Sequence, residues 1–227
     1  MKLHRKLAKL TRRETYRRGW RRAQRSIFRL PFGPVLAGID QKRLLEIQRR
    51  YAGSKYAEID VWLRVNRERV QDLKLHRCPP QRVLDLGCGG GFFLFILKRF
   101  HHSVLGLDID ESPLFRELLE VFGVPRTVFR IQPFESLPDF QQPFDWITAF
   151  SIGFDRYRDT NSRWGVNEWD FFLRDLQQRL APRGKIYLTL NPLPNGKYLA
   201  PELSELFLSR GADIERERIF FRKGLRH

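Results

Sequence analysis

Residues 83–92, VLDLGCGGGF, set Asp85 near the end of an apolar run and follow it with glycines at 87, 89, 90 and 91. Without Cβ atoms the turn can be tight, and a ligand can rest against backbone N–H groups at the start of the next helix. So many glycines carry an entropic cost that a plain packing turn between strand and helix has no use for. Asp108 stands 21 residues after Gly87, in a second apolar run, VLGLDID (104–110). A carboxylate there can accept from two neighbouring O–H donors. Two nucleotide loops fail on spacing. The dinucleotide pattern G-x-G-x-x-G needs a third glycine at 92 or 94, where Phe92 and Leu94 stand, and the phosphate loop needs a Lys-Ser or Lys-Thr pair that does not follow. What remains is D-x-G-x-G-x-G.

The elements that must position these residues are legible as texture. After Cys78, Pro79 and Pro80, short apolar runs alternate with helix-length intervals. The pattern predicts strands near 82–86, 103–108, 126–131, 144–150, 185–191 and 213–221, and helices near 91–100, 112–122, 167–181 and 201–210. Strands alternating with helices imply an α/β, Rossmann-like, doubly wound and mostly parallel sheet of six strands, with right-handed crossovers. Ligands of such sheets sit at the carboxyl ends of the strands. Asp110 is the expected N-cap of the helix in ESPLF. Ahead of the sheet lies a helical extension: one helix from Asp40 to about Arg50, and a second with Ser54 as N-cap. In the second, Ile59, Trp62, Leu63, Asn66, Val70 and Leu73 form a helical stripe, read as core-facing.

Charge divides the chain differently. Of its net +16, eleven come from residues 1–30, where twelve Lys and Arg face only Glu14. Leu3, Leu7 and Leu10 there recur at helical spacing, so this arm suits an anionic membrane surface or RNA, or a solvated tail. The expected division is a basic arm over 1–34, a helical cap over 35–78, and a ligand-binding domain over 79–227. No apolar run reaches the roughly 20 residues of a membrane span, and no secretory signal is visible, so a cytoplasmic protein, peripheral to a membrane at most, is expected. The two cysteines, Cys78 and Cys88, are expected as reduced thiols, with no disulfide framework and no metal site.

With these residues in place, VLDLGCGGGF resembles motif I of the class I S-adenosylmethionine-dependent methyltransferases. The resemblance covers roughly residues 80–192. It implies S-adenosylmethionine as cofactor, with Asp85, Gly87, Cys88 and Gly89 along its methionine and ribose side and Asp108 and Ile109 at the ribose. IQPFESLPDF (131–140) is similar to the segment that contacts adenine, which nominates Phe134 and Glu135, although Pro133 stands where an acid is common. PFDWITAFSIGFD (143–155) is similar to the fourth strand and the entrance to the acceptor site, and nominates Phe150. After residue 200 one helix and one long strand are visible, where the family has two final strands.

Methyl transfer from a sulfonium is an in-line displacement, for which an enzyme mainly supplies alignment and a dry cavity. The segment 150–167 is long for a loop and is expected to cover the acceptor, offering Phe154, Tyr157 and Trp164; Asn191 at the end of the fifth strand faces the same way. Asp155 is the candidate general base. No histidine stands in a matching place, and SIGF replaces the Asn-Pro-Pro-aromatic signature of amino-methylating DNA and protein enzymes. Three readings follow: a methyltransferase for a small or lipid-linked acceptor, an RNA methyltransferase using the basic arm, and a non-catalytic adaptor with the same fold.

Overall fold

The structure, a computed structural model, describes residues 38–225, together with Gly19, Gly33 and Leu36. The expectations placed on the basic arm otherwise lie outside the described residues. From residue 38 onward two helices come first, α1 (Gln41–Arg50) and α2 (Ile59–Asp72). Asp40 caps α1 by accepting from the Arg43 N–H at 2.9 Å. Ser54 caps a single 3-10 turn, Lys55–Ala57, rather than α2 itself. The sheet region follows as β1 (Arg82–Leu86), α3 (Phe92–Lys98), β2 (Ser103–Asp108), α4 (Pro113–Phe122), β3 (Arg126–Val128), β4 (Phe144–Ile152), α5 (Val166–Gln178), β5 (Leu180–Leu190), α6 (Pro201–Ser209), β6 (Asp213–Glu215) and β7 (Arg218–Phe221).

These strands form one seven-stranded sheet in the order β3-β2-β1-β4-β5-β7-β6. The first five pair in parallel, while β7 runs antiparallel to both β5 and β6. A seventh strand therefore exists, and the long strand expected over 213–221 is a hairpin. Its turn is Arg216–Glu217, with Arg216 at φ 55°. No Gly, Asn or Asp marks that turn, so the usual sequence signal for a positive φ is missing. Winding from β1 through β2 to β3 and then back across to β4 creates a switch point between β1 and β4. A crevice opens there at the carboxyl ends.

Two apolar layers cover the sheet, and the alternation of β1 assigns them. Val83 joins the cluster built with α1, α2, α3 and α4, whereas Leu84 and Leu86 join the cluster built with α5 and α6. Asp85, in step with Val83, therefore faces the α2 and α3 side. Leu44 and Ile47 of α1 and Ile59, Leu63 and Val70 of α2 share their cluster with Phe92 to Leu97 of α3, so the N-terminal helices are continuous with the core of the sheet. Glu117 on α4 ties this cap down by accepting from the Tyr51 hydroxyl at 2.8 Å and from Arg50 at 2.8 Å.

Gly106 in β2 is a matter of space. A Cβ there would lie 2.5 Å from the Cys88 Sγ, which fills the gap that the glycine leaves. Any larger residue would overpack the loop after β1, at about 1–3 kcal/mol.

Candidate active site

The carboxyl ends of β1, β2 and β4 meet in one cavity of about 460 Å³, within the range of small-molecule sites. Register explains the meeting: Leu86, the last residue of β1, lies opposite Leu107 on one side and Ala149 on the other. Asp85, Gly87, Cys88, Gly89, Asp108, Ile109, Phe150 and Phe154, all nominated from sequence, line this one cavity.

Each is held by a definable local cause. Gly87 has φ 71°, and no atom stands within 4 Å of where a Cβ would be, so its backbone presents an open face. The Gly87 and Cys88 N–H groups both donate to the Leu107 carbonyl, at 2.7 and 3.3 Å, which pins the loop to the end of β2. Asp108 completes the clamp: its Oδ2 accepts from the Gly89 N–H at 2.5 Å and its Oδ1 from the Ile109 N–H at 2.7 Å. Each carboxylate oxygen keeps a further lone pair for a ligand hydroxyl. Burial raises the Asp108 pKa above the ordinary carboxylate range, against the pull of those two N–H groups and of Arg126. Asp110, expected as a helix cap, instead pairs with Arg116 at 2.8 Å and Arg126 at 2.5 Å; Ser112 caps α4.

Asp85 is deeper. Its Oδ1 accepts from the Thr148 hydroxyl at 2.7 Å, the two residues being register partners in β1 and β4. Burial pushes its carboxyl up to about 7, opposed by that hydrogen bond and by the charge of Arg69. Arg69 comes from α2, and its Nη1 donates to the Asn66 Oδ1 at 2.9 Å while the guanidinium lies 4.2 Å over the Phe150 ring. Burial lowers the Arg69 pKa. A guanidinium in such surroundings favours an anionic group in the same cavity.

The α2 stripe was read as core, and Ile59, Leu63 and Val70 are fully buried, but Trp62 and Asn66 line the cavity together with Tyr56 and Arg69. Trp62 and Asn66 went unrecognised because a helical stripe looks the same whether it faces a core or a ligand, and Tyr56 and Arg69 lie outside that stripe. Tyr56 is positioned by an edge-on contact with Phe115, ring centroids 5.0 Å apart, and by Trp62 at 5.0 Å.

Beyond Ala149, β4 carries one more residue than β5: Ala149 pairs with Leu188, then Ile152 with Leu190. This bulge, unusual in a parallel pair, turns Phe150 and Ser151 toward the cavity and holds Ser151 at φ 56°. Thr189 Oγ1 accepts from the Ser151 N–H at 2.7 Å, and Asn191 Nδ2 donates to the Ser151 and Ile152 carbonyls at 2.9 and 2.7 Å. Asn191 is thus a strap on the bulge and does not line the cavity.

Five further nominations fall outside the cavity. Phe134, at φ 59°, turns out of the 131–140 segment, is 56% exposed, and packs edge-on against Phe171 at 5.8 Å. Glu135 is exposed and accepts from Gln132 at 3.0 Å. Ile131, Gln132 and Pro133 supply the lining there instead. Trp164 is buried against Phe154 and Phe172, ring centroids 5.4 Å away in each case, so it anchors the 153–165 loop. Tyr157 lies under Arg158, 5.2 Å from its ring, beyond the lining stretch that ends at Arg156. Asp155 is buried with its Oδ1 lacking a hydrogen-bond partner among the described residues, and burial pushes its carboxyl up to about 6. It does not face the cavity, so the geometry gives it no reach to a bound acceptor.

A Rossmann-like sheet with a glycine loop at the switch point and an acid at the end of β2 defines a nucleotide-type site. Residues 79–189 match the family model described as a methyltransferase domain. No curated protein matches the chain. Among solved structures, it is similar to the CcbJ methyltransferase from Streptomyces caelestis, with 22% identity over 60% of this chain and 52% of that one, TM-score 0.44. It is also similar to CalS10, an amino pentose methyltransferase from Micromonospora echinaspora, with 22% identity over 77% of this chain and 64% of that one, TM-score 0.44. For the glycopeptide N-methyltransferase MtfA complexed with S-adenosyl-L-methionine the values are 16%, 56%, 54% and 0.42. The chain thus spans between about half and two thirds of the length of these structures.

Proposed function

We propose that this chain transfers a methyl group from S-adenosylmethionine to a small-molecule acceptor. The observation that carries the reading is the Asp108 clamp: one carboxylate organises the Gly89 loop and still offers lone pairs to the cavity onto which Gly87 opens. When bound, the cofactor supplies an electrophilic methyl group on a positively charged sulfur. Asp108 would accept from its ribose hydroxyls, and Arg69 and Asp85 would meet its carboxylate and ammonium. Ile109, Phe129 and Ile131 offer an apolar slot for its base. Phe93 and Phe150, edge-on at 4.8 Å, wall the cavity against water, which favours a reaction that disperses charge.

No general base is part of this reading. Alignment and a dry site suffice where the acceptor arrives as a neutral nucleophile. The lipid-linked and RNA acceptors expected from the basic arm rest on residues outside the described ones, whereas a cavity of about 460 Å³ has the size of a small-molecule site. Incubating cell extract with enzyme and methyl-labelled cofactor, then separating small molecules from RNA and lipid, tests this. A labelled small product one methyl heavier than its precursor is expected. Asp108→Ala should make it at least about tenfold more slowly, equivalent to about 1.4 kcal/mol. Label confined to RNA would sink the small-acceptor reading.

A further inference from the structure

One side of the donor cavity is built by the stretch at and beyond the end of β4, where Ser151, Gly153, Phe154 and Arg156 all contribute to the lining. Gly153 has no atom within 4 Å of where a Cβ would stand, so the chain there lies open to a ligand. The Ser151 N–H and carbonyl are taken by Thr189 and Asn191, whereas its hydroxyl makes no hydrogen bond among the described residues. Arg156 is delivered by a turn. Its N–H donates to the Gly153 carbonyl at 3.2 Å, and the Asp159 N–H donates to the Arg156 carbonyl at 2.9 Å. It takes φ 53°, a left-handed backbone that non-glycine residues seldom adopt and that persists only where the surroundings fix it. The fixing comes from the far end of the loop, where the buried Trp164 donates its N–H to the Asp155 carbonyl at 3.0 Å.

Three guanidiniums line this cavity, and two of them are committed. Arg130 is paired with Glu111. Arg69 donates to Asn66 and its charge acts on Asp85; in the proposed function, on which this step rests, it meets the cofactor's carboxylate. The Arg156 guanidinium, exposed at the mouth, makes no hydrogen bond, ion pair or ring contact with any described residue. The carboxylates around it are engaged elsewhere. Asp159 accepts from the Asn161 and Ser162 N–H groups and from the Ser162 hydroxyl, which lowers its pKa most, the Arg156 charge least. Buried Asp155 is acted on by Arg163, and the cavity's own Asp85 and Asp108 by Arg69 and Arg126.

A guanidinium left over at the mouth selects a ligand by charge. The bound cofactor adds a sulfonium, so a cationic acceptor would approach two positive charges. A carboxylate or phosphate would instead meet a planar fork of donors that matches its oxygens. We infer that Arg156 determines acceptor specificity, and that the acceptor carries an anionic oxygen group, a carboxylate or a phosphate, away from the atom that is methylated. The reacting atom itself stays neutral, in keeping with a reaction that uses no general base. The Ser151 hydroxyl offers a further donor on the same lining.

The test uses the full chain saturated with S-adenosylhomocysteine and four one-ring probes at matched concentration: benzoate, phenyl phosphate, benzamide and benzylamine, read by saturation-transfer NMR. One or both anions are expected to bind in preference to benzamide, with benzylamine weakest, and the stronger anion names the group. Arg156→Gln should weaken the preferred anion at least about fivefold while benzamide and S-adenosylhomocysteine affinities stay unchanged, the latter vouching for the fold. Arg156→Lys, which keeps the charge, should retain part of the anion binding. Equal binding of the four probes, preference for benzamide or benzylamine, or anion binding indifferent to Arg156→Gln would overturn the inference. Binding of S-adenosylhomocysteine without any probe overturns this step alone. Absence of S-adenosylhomocysteine binding overturns the proposed function and this inference with it.

Discussion

At the scale of single residues, Asp85 and Asp108 differ although both are buried carboxylates one strand apart. Asp108 is stabilised as an anion by two backbone N–H groups, whereas Asp85 has a single hydroxyl donor and a guanidinium nearby. With its carboxyl near 7, Asp85 is substantially protonated in the free protein at pH 6. An ammonium arriving beside it favours the ionised form and pulls that pKa down, so binding must release a proton. Calorimetry of cofactor binding in buffers of different ionisation enthalpy should show proton release at pH 6 that vanishes by about pH 8, and affinity that rises with pH between the two. Asp85→Asn should remove both effects; proton uptake at pH 6 would contradict the assignment. Asp85, Asp108 and the glycines were legible because each requires a particular residue type at a fixed spacing. Arg69 and Asn66 were not, since their roles depend on which face of α2 meets the sheet.

Among the elements, the limits of β1 and β2 were read from sequence to the residue, because a buried parallel strand is a short apolar run with sharp ends. The β6–β7 hairpin was hidden by a turn without glycine, and the β4 bulge by being a register event between strands distant in sequence. The loop 153–165 shows a division of labour. Phe154 and Arg156 serve the cavity, while Trp164 and Asp155 go to the interior. Asp155 has a stability consequence. The folded state holds its proton up to about pH 6, whereas the unfolded chain releases it near 4, so stability falls as pH rises through that window and stays lowered above it. Asp155→Asn, which keeps an acceptor for the loop N–H groups, should therefore stabilise the protein above pH 6, by on the order of 2–3 kcal/mol. Below pH 4 the gap should be small. Denaturant melts at pH 4 and pH 7.5 check the sign, and a variant less stable than the parent at pH 7.5 would show the buried carboxylate to be paired.

For the whole molecule, the N-terminal helices and the sheet act as one body around the site. The cluster joining α1 and α2 to α3 and α4 places Tyr56, Trp62, Asn66 and Arg69 over a cavity whose floor is the glycine loop. The C-terminal hairpin closes a second cavity beside it. In the proposed function the methyl donor sits on the glycine loop at the ends of β1 and β2, inside residues 79–189. Everything rests on the donor. The most direct measurement is titration calorimetry of S-adenosylmethionine into the full chain and into Asp108→Ala. One equivalent should bind to the parent, and the variant should bind at least about tenfold more weakly, a loss of about 1.4 kcal/mol or more. Failure of the parent to bind, or equal affinity in the two proteins, would contradict the account.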